Sequence, residues 1–343
     1  MKNPSLRRAD CYIHAMTGRE RALSCARRTG PDRTPYLRWD NFALSDILAA
    51  WARKAPKPAP TRREWTDEWG CRWESLDTTA GHVVGHPIRS AAGYASYRIP
   101  KVELDLPGLR ANRTEYPDRL CSGGLGFFFF ERLEKLREFR EAMVDLAAER
   151  EALGAFLDRL QAYYVEMVDA YATSGTVEVI CVNEDLGLQD RLTISPTMWR
   201  EVFKPRYKAV YDRAHEHGML VFHHSCGHIQ PIISDLAEIA VDFLEMQQLS
   251  CMNMQAVAEA RGRICVTAPV DIQAVLPTGD WKRVEEFQRR LFRVFDRPEG
   301  GFMPQIYSDL ASLGVRAEIG ERLERLILRL CDWRKRGEKP GNG

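Results

Sequence analysis

The stretch GMLVFHHSCGHIQP, Gly218 to Pro231, places a short apolar run directly before a cluster of polar side chains. The run Met219–His223 predicts a buried β-strand, and the cluster that follows contains His224, Cys226 and Gly227. Polar residues directly after a buried strand are typical of the active-site end of a (β/α) barrel, where the carboxyl ends of the strands meet. Whether this cluster belongs to an active site therefore depends on whether polar residues also follow the other strands.

Similar apolar runs recur along the chain and alternate with amphipathic helical patterns. We interpret as strands the segments Thr34–Trp39, Thr176–Val182, Val241–Met246, Arg263–Ala268 and Gly301–Tyr307. One helical pattern ends at Gly175, and another begins at the N-cap Ser195, continues through Pro196 and ends at Gly218. Strands joined by helices of this length pair in parallel, and their continuous apolar character indicates that both faces are covered.

The predicted fold class is α/β, a distorted (β/α)8 TIM barrel with a helical N-terminal extension. Residues 40–170 supply the less regular early strands, and residues 1–343 form a single barrel domain. We interpret the proline-rich segment Lys54–Pro60 as a loop within that domain. A dinucleotide-binding fold has no positive support, because no GxGxxG follows the first strand.

Composition narrows the classes of function. The 343 residues are 45% hydrophobic, which is ample for a large core. The 49 Lys and Arg nearly balance the 48 Asp and Glu, so the charge favours neither nucleic acid nor an acidic membrane as partner. With no signal peptide and no apolar run near the roughly 20 residues that span a bilayer, we expect a cytoplasmic protein. Nine scattered cysteines without a CxxC do not form a disulfide framework.

Polar side chains follow several of the predicted strands, so we expect them to converge on one cavity at the carboxyl ends. Glu184 or Asp185, His224, Cys226, Gln247 or Gln248, and Asp271 should line it. His224 and Cys226 are good zinc ligands, and they also suit an acid–base pair. In the alternative interpretation, the thiol is buried and the histidines bond to loop carbonyls.

The two carboxylates after the strand Thr176–Val182 allow several roles. Glu184 and Asp185 suit a metal ligand, a general base or a substrate anchor, although adjacent residues point in different directions and one of them suffices. Alternatively, one caps the next helix and the other is solvated. Asp271 and Gln273 have the same alternatives.

Several longer segments resemble the uroporphyrinogen decarboxylase superfamily, which includes zinc-dependent methyltransferases that act with corrinoid proteins. The segments are MTGRERALSCARRTGPDRTPYLRW from Met16, HSCGHIQPIISDLAEIAVDFLEMQQ from His224, and VDIQAVLPTGDWKRVEEF from Val270, followed by Gly300 and Gly301. The resemblance covers nearly the whole chain and implies a distorted (β/α)8 barrel.

The resemblance implies chemistry nearer the methyltransferases. True decarboxylases carry an arginine motif after the first strand, where this chain reads LRWDNFALSD with only Arg38. His224 and Cys226 match the first two zinc ligands of the methyltransferases. The family's second cysteine is absent from GGFMPQIYSDL, Gly300–Leu310, so Cys251 or a carboxylate from Glu184, Asp185 or Glu245 would complete the site.

We therefore predict a methyltransferase that moves a methyl group between a corrinoid, carried by a partner protein, and a small thiol or related acceptor at a Zn²⁺ site. The predicted catalytic residues are Glu184, Asp185 and Asp271; the substrate-binding residues are Arg38, Asn183, Gln247, Gln248 and Gln273; the metal ligands are His224, Cys226, Cys251 and Glu245. The alternative is a metal-free decarboxylase of a porphyrinogen or smaller acid, and a third interpretation is a barrel that only binds a tetrapyrrole or a partner. The sequence leaves the oligomeric state open.

Overall fold

A parallel sheet of seven strands forms the centre of the fold. The computed structural model describes residues 15–50, 63–75 and 81–332. In spatial order the central strands are β1 (Ile47–Ala50), β5 (Leu120–Phe127), β6 (Val179–Asn183), β7 (Leu220–Ser225), β8 (Phe243–Met246), β9 (Cys265–Ala268) and β10 (Phe302–Pro304). The three strands β2 (Arg63–Thr66), β3 (Arg72–Ser75) and β4 (His82–Gly85) form a separate antiparallel sheet. The last five predicted strands are therefore confirmed as adjacent and parallel, and with them the α/β class.

Helices connect and cover the strands. Their bounds are α1 Gly18–Arg27, α2 Gly93–Ser96, α3 Leu106–Glu115, α4 Phe129–Arg137, α5 Phe139–Ala148, α6 Arg150–Ser174, α7 Pro196–Val202, α8 Lys204–Glu216, α9 Ile233–Glu238, α10 Met254–Ala260, α11 Trp281–Phe295 and α12 Ala317–Cys331. No described helix is long and apolar enough to cross a membrane. The predicted loop Lys54–Pro60 lies outside the described residues, as do residues 1–14 of the N-terminal extension.

Two predicted helix boundaries, at Gly175 and Ser195, are confirmed, and one predicted helix is corrected. Gly175 ends α6 in a left-handed conformation, and the Ser195 side chain accepts a hydrogen bond from the Met198 N–H at the start of α7. The single helix predicted from Ser195 to Gly218 is wrong, because it divides at Phe203 into α7 and α8. Pro205 lies in the first turn of α8, where its missing N–H costs no helical hydrogen bond, whereas in a continuous helix it would break one.

The predicted first strand, Thr34–Trp39, is not a strand. Only Leu37 pairs, in a single parallel bridge to Gln305. The Leu37 N–H donates to the Pro304 carbonyl at 3.0 Å, and on the other side the Asp46 N–H donates to the Tyr36 carbonyl at 2.8 Å. The segment thus joins the two edges of the sheet in the eighth position of the barrel. A regular ladder does not form because side chains take the neighbouring N–H groups: Asp46 accepts from Tyr36 and Ser45 accepts from Arg38.

Side chains alternate between the two faces of each strand, so the hydrophobic core forms two layers, one on each face of the sheet. One face of the sheet encloses Leu120, Val179, Cys181, Leu220, Phe222, Phe243, Cys265 and Met303. The opposite face, which includes Ile180, Val182 and Val221, packs under the outer helices. Helix α1 adds Ala22 and Cys25 to the inner core and lies at the amino-terminal ends of the strands, where the Gly301 N–H donates to the Cys25 carbonyl at 3.0 Å. The opposite, carboxyl end of the barrel is where the polar residues collect.

Candidate metal centre

His224 is the centre of a group of three side chains that could hold a metal ion. Its Nε2 lies 3.3 Å from Asp185 Oδ1 and 3.6 Å from Cys226 Sγ. One donor atom from each of the three residues lies within 4.8 Å of the other two, and no other such group of three or more occurs among residues 15–50, 63–75 and 81–332. The third member is therefore Asp185, which the sequence offered as only one of several carboxylates.

Strand alternation explains why Asp185, and not Glu184, reaches the histidine. Val179 and Cys181 face the barrel interior, so Asn183 and then Asp185 follow them on that side. In β7, Leu220 and Phe222 face inward, and His224 follows them. His224 pairs directly with Asn183 of β6 and with Glu245 of β8.

Two glycines allow the loops after β6 and β7 to touch. Gly227 has φ of +73°, and a Cβ there would lie 2.1 Å from the Gly187 carbonyl oxygen. A Cβ on Gly187 would lie 2.3 Å from the His228 nitrogen. The Gly187 N–H donates to the Cys226 carbonyl at 3.1 Å, and the Cys226 N–H donates to Asp185 Oδ1 at 3.1 Å. This close contact holds the thiol and the carboxylate on one side of His224.

A second carboxylate, that of Glu245, orients His224 through the other ring nitrogen, Nδ1. Glu245 is buried, and its Oε2 lies 3.1 Å from His224 Nδ1. Burial alone would raise the pKa of Glu245, but the positive charge and the hydrogen bond of His224 lower it. An outer carboxylate on the second ring nitrogen fixes the tautomer of a metal-binding histidine, so that Nε2 presents its lone pair to the metal.

The charges of the group favour a cation between its carboxylates. Burial would raise the pKa of Asp185, but its hydrogen bond to His224 and the charge of that ring lower it to about 2. Burial would lower the pKa of His224, but the charge of Glu245 and the hydrogen bond to Asp185 raise it well above its usual value. The carboxylates therefore stabilise a positive charge at the His224 ring, and a bound metal ion would supply a positive charge at the same place.

The donor spacing fits zinc. Tetrahedral Zn²⁺ with bonds of about 2.0 Å to nitrogen and oxygen and about 2.3 Å to sulfur places N and O about 3.3 Å apart, and N and S about 3.5 Å apart. The observed distances are 3.3 Å and 3.6 Å. Three protein ligands also leave one position open, as in catalytic zinc sites.

Three predicted residues surround this group without belonging to it. Gln247 Oε1 lies 3.7 Å from Cys226 Sγ. Gln248 is buried and accepts a hydrogen bond from the Gly227 N–H at 2.6 Å, so it holds the loop that carries the thiol. Asn183 is the last residue of β6 and lies beside His224 in the sheet.

The structure does not bring Glu184 or Cys251, both predicted as metal or catalytic residues, to His224. Glu184 points away, to the helical layer, where its Oε1 accepts from the Tyr207 hydroxyl and the Phe130 N–H, each at 2.6 Å. Burial raises its pKa well above the usual value. Cys251 lies after β8, and its thiol donates to Gln189 Oε1 at 3.3 Å, outside the metal group.

The other predicted residues are engaged elsewhere or exposed. Arg38 pairs with Asp40 at 2.7 Å and with Glu324 of α12 at 2.5 Å, because its segment passes α12 before it reaches the barrel end. Asp271 is buried and serves the turn after β9: it accepts from Ser250 and from the N–H groups of Gln273 and Ala274. Gln273 itself is exposed.

Sequence reasoning did not identify several neighbours of the site. Gln305 and Trp39 interact with Glu245 and help lower its pKa. Both lie two residues beyond an inward-facing residue, Met303 and Leu37 respectively, so strict alternation would have indicated them. Glu131 near Asp185 carries no such signal, because it lies on a helix and comes close only in the folded chain.

A cavity of about 1220 Å³ lies at the same end of the barrel, between the three-stranded sheet and α4. Its aromatic wall consists of Trp65, Trp73 and Phe127. Phe127 ends β5 and pairs with Asn183, which pairs in turn with His224, so this wall is two strand spacings, or about 10 Å, from the metal group. Glu131 lines the cavity, and burial together with the charge of Asp185 raises its pKa to about 7.

Comparisons with known proteins agree with this architecture. Residues 134–302 match the family model described as uroporphyrinogen decarboxylase (URO-D). No curated protein matches the sequence. The fold is similar to that of a methyltransferase from Methanosarcina mazei, with a TM-score of 0.65 and 15% identity over 91% of this chain and 98% of the other.

A B12-independent methionine synthase from Shewanella sp. W3-18-1 has a TM-score of 0.46 and 10% identity, over 86% of this chain and 84% of its own. Its score is too low to carry an argument. The family match includes α6 to β9 and the His224–Cys226 segment, and the Methanosarcina structure covers the rest of the barrel. The chain therefore carries a match to the uroporphyrinogen decarboxylase (URO-D) family over residues 134–302, just under half of its length.

Proposed function

We propose that this protein is a zinc-dependent methyltransferase, in which His224, Cys226 and Asp185 bind the metal and a small thiol accepts a methyl group from a corrinoid carried by a partner protein. The observation that carries the proposal is the spacing of the three donor atoms, with His224 Nε2 3.3 Å from the Asp185 carboxylate and 3.6 Å from the Cys226 sulfur. The fold shared with a protein described as a methyltransferase supports the reaction class.

Each ligand has a defined task in this proposal. Glu245 accepts the Nδ1 proton of His224 and keeps Nε2 free for the metal. The Cys226 thiolate and the Asp185 carboxylate would neutralise the charge of a divalent ion, so the ion and its three ligands would have no net charge before the acceptor binds, and Glu245 adds one negative charge beside them. When bound, zinc would lower the pKa of a coordinated thiol and so supply a thiolate at neutral pH.

The acceptor sulfur is the nucleophile of the transfer. Its S–H proton leaves to solvent or to a nearby base, and a sulfur lone pair forms the new S–CH₃ bond. The carbon–cobalt bond of the donor breaks, and both of its electrons stay on the corrinoid. His224, Cys226 and Asp185 would hold the metal that positions this sulfur for the transfer.

The alternative of a metal-free decarboxylase has less support. A polycarboxylate substrate needs arginines, which bind carboxylates through two parallel hydrogen bonds. Among the described residues that line the cavity there is one lysine, Lys135, and no arginine. Arg38 is paired with two carboxylates, and Asp271 is bound within its own turn.

The proposal is tested by metal analysis combined with turnover. Protein purified without added zinc should contain about one zinc per chain, and it should demethylate free methylcobalamin in the presence of a thiol. Removal of the metal with a chelator should stop the reaction, and added Zn²⁺ should restore it. Full demethylation activity of a metal-free preparation would refute the zinc mechanism, whereas a preparation with neither zinc nor demethylation activity would favour the decarboxylase.

Replacing Glu245 by glutamine is expected to weaken zinc binding about 10- to 100-fold, because the amide no longer accepts the His224 proton with a full negative charge. Competition with a chromogenic chelator measures the affinity. Glu178→Gln is the matched control, because Glu178 lies at the amino-terminal end of β6 and pairs with Arg19 and Arg113. Equal affinities for both variants would show that Glu245 does not orient the ligand.

A further inference from the structure

The Cys226 sulfur lies beside the amide of Gln247. The Cys226 thiol donates to Gln247 Oε1 at 3.7 Å. In the part of the chain that the structure describes, no other hydrogen bond involves the Gln247 side chain, and no backbone N–H reaches the Cys226 sulfur. His224 Nε2 lies 3.6 Å from the sulfur but would be bound to the metal, and the Asp185 carboxylate only accepts. Gln247 is therefore the donor that remains for a metal-bound Cys226 thiolate.

The sheet holds Gln247 next to this sulfur. The last paired residues of β7 and β8 directly precede Cys226 and Gln247, so the two side chains come from neighbouring positions on adjacent strands. One residue further on, the buried Gln248 accepts from the Gly227 N–H at 2.6 Å and ties the two chain segments together. The contact between the amide and the sulfur is thus a consequence of strand register.

A glutamine amide can bond this sulfur in both of its protonation states. A thiol donates its S–H to the carbonyl oxygen, which is the arrangement seen here. A thiolate has no proton and accepts instead, so rotation of the amide by 180° brings Nε2–H to the same place. Because hydrogen bonds to a charged group are stronger than those between neutral groups, the bond to the thiolate is the stronger of the two.

The proposed reaction has to distinguish two sulfurs. The Cys226 thiolate and the acceptor thiolate would occupy neighbouring corners of one tetrahedral site, so both would be nucleophiles within reach of the same methyl donor. If Cys226 were methylated, its sulfur lone pair would form the S–CH₃ bond, and both electrons of the carbon–cobalt bond would stay on the corrinoid. The product would be a neutral thioether in place of a thiolate ligand, so each such event would disable one metal site.

We infer that Gln247 determines which sulfur is methylated: its amide N–H donates to the Cys226 thiolate and directs the methyl group to the acceptor. A hydrogen bond to a ligand sulfur stabilises the negative charge on it and so makes its lone pair less nucleophilic. The inference rests on the proposed function, because it needs Cys226 as a metal ligand. It adds to that function a residue that selects between the ligand sulfur and the acceptor sulfur.

Methylation of Cys226 itself tests the inference. The protein is treated with deuterated methyl iodide in excess zinc, and mass spectrometry of the digest locates each S-methylcysteine. In this reaction the sulfur lone pair forms the new bond, and iodide leaves with the electrons of the carbon–iodine bond. Gln247→Leu removes the amide at similar volume, and Gln247→Glu keeps the length and the acceptor without the donor. Both variants should raise the rate of Cys226 methylation about five- to tenfold.

Gln189→Leu is the matched control. Gln189 Oε1 accepts from the Cys251 thiol at 3.3 Å, which is the same kind of pair outside the metal group. This variant should leave the rate at Cys226 unchanged, and the Gln247 variants should leave the rate at Cys251 unchanged. Equal Cys226 methylation in the wild type and both Gln247 variants, at equal zinc content, would overturn the inference and leave the zinc proposal standing. A wild type that binds no zinc would overturn the proposed function and the inference with it.

Discussion

Replacing Cys226 by serine is expected to weaken zinc binding by about 100-fold or more and to abolish thiol-dependent methyl transfer. The expected effect exceeds the 10- to 100-fold loss that is usual for an outer-shell partner, because the sulfur is itself a ligand in the proposed site. Cys226 lies in a loop and is only partly buried, so the metal-free variant should unfold at the same temperature as the metal-free wild type. Metal analysis, turnover and thermal unfolding are measured on the same preparations.

Cys251→Ser provides the matched control. Cys251 is also a partly buried loop thiol, and it lies outside the metal group with its thiol on Gln189. We expect the control to keep its zinc and its activity. If Cys226→Ser kept both as well, the cysteine would be structural. If the two serine variants lost zinc equally, the ligand set would differ from the one proposed.

Asp46→Ala is expected to lower the free energy of unfolding by about 3 kcal/mol. The Asp46 side chain is 2% exposed, and it accepts from Arg21 Nη1 at 2.7 Å and from the Tyr36 N–H at 2.8 Å. Arg33 Nη1 lies 3.1 Å from Asp46 Oδ2. Removing this carboxylate leaves buried donors unsatisfied and detaches the segment Thr34–Trp39 that joins the edges of the sheet.

The expected cost is at the lower end of the range for breaking a buried ion pair, because Arg21 keeps a second partner, Asp32, at 2.5 Å. Urea-induced unfolding of the metal-free protein measures the difference. Asp158→Ala makes the same change at an exposed pair with Arg206 and should cost less than about 1 kcal/mol. A loss of under 1 kcal/mol for Asp46→Ala would show that the eighth position of the barrel is held by other contacts.

The barrel was predictable because its strands are short apolar runs covered on both faces. Thr176–Val182 and the four strands after it stand out for this reason, and all five occur within a few residues of their predicted bounds. The segment Thr34–Trp39 is also predicted as a strand, yet Leu37 alone pairs. The side chains of Asp46 and Ser45 capture its N–H groups, and no local pattern reveals contacts of that kind.

The sequence by itself determined which short segments carry the site. His224 is near the end of β7 and Cys226 follows that strand directly, and both lie at the carboxyl end of the barrel with Asp185 and Glu245. It also determined that one of Glu184 and Asp185 faces the interior, since adjacent residues on an extended chain point to opposite sides.

Only the tertiary structure decided which carboxylate that is and what surrounds it. The register of β6 against β7 directs Asp185 to His224, and it directs Glu184 to Tyr207 under the helices. In the folded chain Arg38 pairs with Glu324, and Glu131 lines the cavity beside the metal group. These assignments join residues more than 20 positions apart through packing, and local sequence patterns do not encode such distances.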